Sequence, residues 1–148
     1  MSEDSPKLPI GTSDFKDIRE AGHYYVDKSL LVRDLIQSTA STLLLPRPRR
    51  FGKTLNLSML RYFFEKTEPS HQYLFNGLKV EQESEVMAHQ GKYPVIFLTF
   101  KDVKEMTWEF ALGKIKALLM DTFRRFKYLL DSSQIEPEEE WIYKRILN

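Results

Sequence analysis

Ser41 to Leu60 reads STLLLPRPRRFGKTLNLSML, and the reading of its middle decides the fold. Ser41 to Leu45 is apolar and strand-like, Phe51-Gly52-Lys53-Thr54 is a short polar junction, and Leu55 to Glu65 is amphipathic. Strand, glycine-bearing turn and helix in that order are the setting of a phosphate-binding loop. A Gly, Lys, Ser/Thr triplet arises by chance in roughly one chain in fifteen of this length, so the setting carries more weight than the tripeptide.

The residue types follow from electrostatics and geometry. Gly52 has no Cβ between its backbone and an approaching phosphate oxygen. The amides that follow open a helix whose unsatisfied N–H groups and dipole favour an anion. Lys53 places a compact cation on the β/γ-phosphates, and Thr54, with Leu55 next in the opening turn, offers its hydroxyl to a Mg²⁺ that bridges them. The spacing of a full motif asks for a glycine five residues before Gly52, where this chain has Arg47 followed by Pro48. Proline pushes the residue before it toward extended conformations, so Arg47 is expected to continue the strand direction and the loop to curl only from Arg49. The guanidinium forks of Arg49 and Arg50 suit phosphate bidentately and offset a poorer amide cradle. A solvated basic turn is the plainer reading of the same cations.

The stretch Arg47 to Leu60 (RPRRFGKTLNLSML), preceded by Leu8 to Phe15 (LPIGTSDF) and Tyr24 to Leu31 (YYVDKSLL), resembles the N-terminal half of the AAA-ATPase-like proteins. These are microbial P-loop proteins whose loop reads RPRRFGKT and in which a PD-(D/E)XK nuclease-like region often follows. The resemblance runs from about Leu8 to Phe100 and continues through Lys101 to Val103. It implies ATP and Mg²⁺ as cofactors, with phosphate contacts from Arg49, Arg50, Phe51, Gly52, Lys53, Thr54 and Leu55, a supplementary contact from Arg47, and Mg²⁺ at Thr54. It makes the arginine at position 47 a family trait. By analogy Asp14 with Phe15, and Tyr25 with Asp27 and Lys28, line the adenine or ribose side of the pocket, although capping and core packing account for them too.

Composition bounds the rest. A chain of 148 residues fits one domain with a real core. With 22 basic against 21 acidic residues there is no global field to draw in a nucleic acid, so any such contact is local. The absence of cysteine excludes a disulfide scaffold, a thiolate metal site and a cysteine nucleophile. No apolar run approaches membrane-spanning length, and a cytosolic protein is the default.

Residues 1–9 read as a mobile leader, and residues 10–148 as the N-terminal portion of a P-loop domain. Ser13 or Asp14 caps a short helix through Arg19 that stops at Gly22. Tyr24 to Val26 is a short extended piece, and Asp27 caps a helix from Lys28 to Gln37. Ser41 to Leu45 and Pro94 to Phe100 (PVIFLTF) are nearly all apolar, which suits parallel strands covered on both faces. Thr54 to Lys66 is a helix; His71 to Phe75 and Glu83 to Gln90 are helical pieces, the second closing at Gly91. Thr107 to Leu130 is a long helix whose apolar spacing, with Trp108, Leu112 and Ile115, implies core packing against a sheet. Ser132 to Glu140 is an acidic linker, and Trp141 to Leu147 begins another helix.

The expected fold class is therefore α/β, a partial P-loop NTPase sheet of the additional-strand class with flanking helices. A P-loop ATPase needs an acidic residue at the tip of a second central strand. Asp102, two residues past Phe100, is the nearest candidate, and in the pattern of the resemblance its strand precedes the acidic one. In that class the two strands here would be the first and second and would not be neighbours. The third to fifth strands are then expected in sequence beyond Asn148, with the chain a fragment of a longer protein. Catalytic residues are unassigned, and hydrolysis by this chain is expected to be absent or very slow.

His23, His71 and His89 have no partner at ligand spacing and suit surface or packing roles. Asn56-Leu57-Ser58 matches a glycosylation acceptor but lies within the helix after the loop. Two functional readings stand: a nucleotide-binding module, and a nucleic-acid or protein interaction module. In the second, RPRR touches backbone phosphates, with Phe51 and Tyr62 assisting and no nucleotide bound.

Overall fold

A computed structural model describes residues 7–46, Pro48 and 51–147. Most of the leader, Arg47, Arg49 and Arg50 lie outside the described residues. The chain divides into two compact units, one ending at Val95 and the other beginning at Ile96.

The first unit is helical. Helix α1 (Phe15–Glu20) begins where the Asp14 side chain accepts the N–H groups of Lys16 and Asp17, and Gly22 follows it at φ +61°. Helix α2 spans Leu31–Gln37, α3 spans Lys53–Phe64 and α4 is the single turn Ser84–Met87, with 3₁₀ turns at Gln72–Phe75 and Lys79–Gln82. Their apolar faces meet in one core of Phe15, Val32, Met59, Phe63, Leu74, Phe75 and Val80, each at most 1% exposed. Phe75 joins the pieces: its ring lies 5.2 Å from that of Phe15 on α1 and 5.1 Å, edge-on, from that of Phe63 on α3. Such pairs add to plain burial, which is worth about 1.5–3 kcal/mol for each large side chain.

The second unit pairs α5 (Trp108–Arg125) with α6 (Pro137–Leu147), joined through a 3₁₀ turn at Lys127–Asp131. Thr107 caps α5 by accepting the N–H of Phe110 at 3.5 Å. Pro137 opens α6, with Glu138, Glu139 and Glu140 in its first turn and Lys144 and Arg145 in its last, the order that complements a helix dipole. Tyr143 locks the pair, its ring edge-on to Phe123 at 4.7 Å and its hydroxyl donating to the Phe123 carbonyl at 2.5 Å.

The expected α/β sheet is not formed. Among the described residues there is no strand, and the one isolated bridge is parallel, between Glu65 and Tyr93. Here Lys66 N–H donates to the Tyr93 carbonyl at 2.9 Å and Tyr93 N–H to that of Phe64 at 3.0 Å. The ladder stops because its partner turns away through Thr67, whose hydroxyl donates to the Pro69 carbonyl. Ser41 to Leu45 and Pro94 to Phe100 are irregular and largely exposed, Leu44 at 81% and Ile96 at 68%. Apolar composition records a preference for burial, whereas a strand exists only where another backbone completes its hydrogen bonds. With no sheet to cover, α5 has no buried residue, so its expected core packing is corrected as well. No helix among the described residues is long and apolar enough to cross a membrane.

Candidate functional site

Gly52 stands immediately before α3 with φ +72° and ψ 22°, the left-handed region that glycine enters without penalty. Among the described residues a Cβ built there would meet nothing within 4 Å. The Gly52 carbonyl accepts the N–H of Asn56 at 2.9 Å, the first bond of the helix. Among the described residues no side chain caps the opening turn, which leaves its N–H groups directed out of the helix. Lys53 is the first helical residue and is exposed, as is Thr54; Leu55 is half-buried. Phe51 is 61% exposed and donates its N–H to the Pro48 carbonyl at 3.4 Å. Beside Lys53 lies a hollow of ≈ 40 Å³ lined by Leu45, Lys53, Asn56 and Leu57.

The residues of the two N-terminal stretches brace α3 and its surroundings. Phe15 is buried and its N–H donates to Ser58 Oγ at 2.9 Å. One Asp14 oxygen caps α1, while the other accepts from Ser58 Oγ at 3.1 Å and from the Tyr62 hydroxyl at 3.3 Å. Burial, with the Asp14 carboxylate beside it, pushes the Tyr62 hydroxyl up to about 12. The Tyr25 hydroxyl donates to Met59 Sδ at 3.3 Å, and burial pushes it up to about 12 too. Asp27 accepts the N–H groups of Ser29 and Lys79, each at 2.8 Å, and Ser29 Oγ accepts that of Val80 at 3.1 Å. Burial alone would raise the Asp27 carboxyl, but the bonds from Ser29 and Lys79 outweigh it and hold the group below its usual value. In this structure these motif residues tie α1, α2 and the Lys79–Gln82 turn to the helix that carries Lys53.

Asn56 is buried. His71 meets Tyr62 edge-on at 4.9 Å, and His89 is hydrogen-bonded to Tyr93. Asp102 belongs to the second unit, where its backbone carbonyl accepts from Lys114 Nζ at 3.1 Å. Ser58, Tyr62 and Ser29 do not stand out in the sequence as partners of the motif carboxylates. A signal for the first two exists, since Thr54, Ser58 and Tyr62 recur every four residues and so share one helix face.

Among the described residues, the site is thus a helix opening with no side-chain cap behind a left-handed glycine, with an exposed lysine and an exposed threonine in its first turn. The chain belongs to the AAA-ATPase-like family, described as predicted AAA-ATPase, whose model matches residues 9–146. It is also 37% identical over 119 residues to an "Uncharacterized protein in vnfD 5'region" of Azotobacter chroococcum mcd 1. That match covers 76% of this chain and 20% of the relative, so the chain spans about a fifth of that protein's length. No solved structure matches the chain.

Proposed function

We propose that the mouth of α3 receives the triphosphate tail of a nucleoside triphosphate, ATP being the nucleotide to which the family's description points. The observation that carries this reading is the conformation of Gly52: a left-handed residue leading directly into uncapped helix amides. The exposed Lys53, whose hollow is lined among the described residues by Leu45, Asn56 and Leu57, supplies the counter-charge. Leu55 contributes a backbone amide, and Phe51, whose own N–H donates to the Pro48 carbonyl at 3.4 Å, leads the chain into the turn. Arg49, Arg50 and Arg47 act as further phosphate donors, although they lie outside the described residues.

The residues at the mouth suit a magnesium nucleotide. Thr54 is the side chain that would hold Mg²⁺, which would supply positive charge against the phosphates. Hydrolysis by this chain alone is expected to be slow, because none of the described residues lining the hollow beside Lys53, Leu45, Asn56 and Leu57, is an acid that could order or activate water. In a longer parent protein, the nucleotide state of this mouth would act on a further region, nuclease-like by the family resemblance.

Equilibrium titration of the purified chain with ATP, with and without Mg²⁺ and at two salt concentrations, tests the reading. Binding is expected to saturate, to require Mg²⁺, and to weaken at least about tenfold in Lys53→Ala, equivalent to 1.4 kcal/mol. Affinity indifferent to Mg²⁺ and to Lys53, falling steeply with salt and shared by single-stranded nucleic acid, would replace it with a backbone-contacting basic loop.

A further inference from the structure

Helix α3 is held in two ways. Met59 and Phe63, four residues apart, bury one face in the core. Packing of this kind is non-directional and leaves a helix some latitude to roll about its axis. The second hold is directional. The Asp14 carboxylate accepts from Ser58 Oγ at 3.1 Å and from the Tyr62 hydroxyl at 3.3 Å, and Ser58 Oγ accepts the Phe15 N–H at 2.9 Å. Ser58 is buried, so its hydroxyl has no water to fall back on if these bonds break. Residues 54, 58 and 62 succeed one another at one-turn spacing, so the face gripped by Asp14 is the face that ends at Thr54.

We propose that Asp14 is a positioning residue for the mouth of α3. By gripping Ser58 and Tyr62 it fixes the roll of the helix, and with it the direction in which the Thr54 hydroxyl and the amides of Gly52 to Leu55 are presented. The group that aims α3 is thus the N-cap of α1, so the aim depends on the Asp14 carboxylate and not on how the far end of α1 is anchored. The functional half of this inference rests on the triphosphate reading, while the structural half does not.

The test uses two gentle substitutions and a control. Tyr62→Phe removes one bond with little change of shape, and Ser58→Ala removes two. Arg19→Ala loosens the same helix elsewhere, because Arg19 ties α1 to the carbonyls of Leu74 and Asn76 at 2.8 and 2.6 Å and does not touch Asp14. Two readouts are taken on folded protein: the amide ¹⁵N and ¹H shifts of Gly52 to Leu55, and the affinity for Mg-ATP. Tyr62→Phe and Ser58→Ala are expected to move those amide shifts and to weaken Mg-ATP several-fold. Ser58→Thr should restore both, and Arg19→Ala should change neither. Amides that move while no form of the chain binds Mg-ATP would support the positioning role and remove the triphosphate reading. Amides of Gly52 to Leu55 unchanged in both Tyr62→Phe and Ser58→Ala would overturn the proposal, whatever happens to nucleotide affinity.

Discussion

Gly52 carries the geometry of the loop and Lys53 its charge, and the two separate by substitution. The left-handed conformation at Gly52 costs an alanine about 1–2 kcal/mol even though its Cβ would meet no described residue within 4 Å. Gly52→Ala should therefore lower the urea midpoint measurably. Lys53→Ala, at an exposed position, should leave that midpoint where it is. Ser29 is different again: it is buried, and its Oγ satisfies the Val80 N–H. Ser29→Ala orphans that donor and should cost about 1–3 kcal/mol in the same assay. Tyr25 and Tyr62 set an alkaline limit. Both hydroxyls are pushed up to about 12 from 10.0, so between those values the unfolded chain releases protons that the folded chain keeps. Their contribution is complete below about pH 10 and is lost as pH rises toward 12. Denaturation midpoints should fall over that window, and less steeply in Tyr62→Phe.

The elements show which signals are local. α1 and α3 are legible in the sequence because their determinants lie within a turn of each end: Asp14 and Gly22 for the first, Gly52 and the spacing of Met59 and Phe63 for the second. α2 starts at Leu31, later than its sequence suggests: after Asp27 accepts the Ser29 N–H the chain first makes a turn, with the N–H of Leu31 on the Lys28 carbonyl and that of Val32 on the Ser29 carbonyl. α6 begins earlier than expected because Pro137, read as part of a linker, serves at a position where a helix needs no N–H. The strand assignments fail for a third reason. PVIFLTF states that Pro94 to Phe100 is apolar, but only a second backbone makes a strand, and no run of residues names its partner. Phe63 offers the sharpest test at this scale, being fully buried against Phe75 and Phe64. Phe63→Ala should cost about 3–5 kcal/mol and cut the α-helical circular dichroism of the chain.

At the scale of the whole molecule, a consolidated helical core in the first unit coexists with apolar segments whose backbones are not paired in ladders. Hydrogen exchange should follow that division. Amides of residues 59–63, within α3, should be among the slowest, while those at 43–45 exchange close to the rate of an unstructured peptide. The same exposed residues, Leu44, Ile96 and Phe100 among them, should make self-association depend on protein concentration. What the sequence places correctly at the candidate site is local: Gly52 stands immediately before α3. Gly52, Lys53 and Thr54 announce their chemistry by type and order, whereas the grip of Asp14 on Ser58 and Tyr62 spans more than forty residues and appears only once α1 and α3 are packed. An amide-resolved titration of the ¹⁵N-labelled chain with Mg-ATP tests whether the mouth of α3 takes a triphosphate tail. Saturable shifts centred on Gly52, Lys53, Thr54 and Leu55 are expected, and they should vanish in Lys53→Ala. Shifts absent at those amides, or equally large in the alanine variant, would contradict the triphosphate reading.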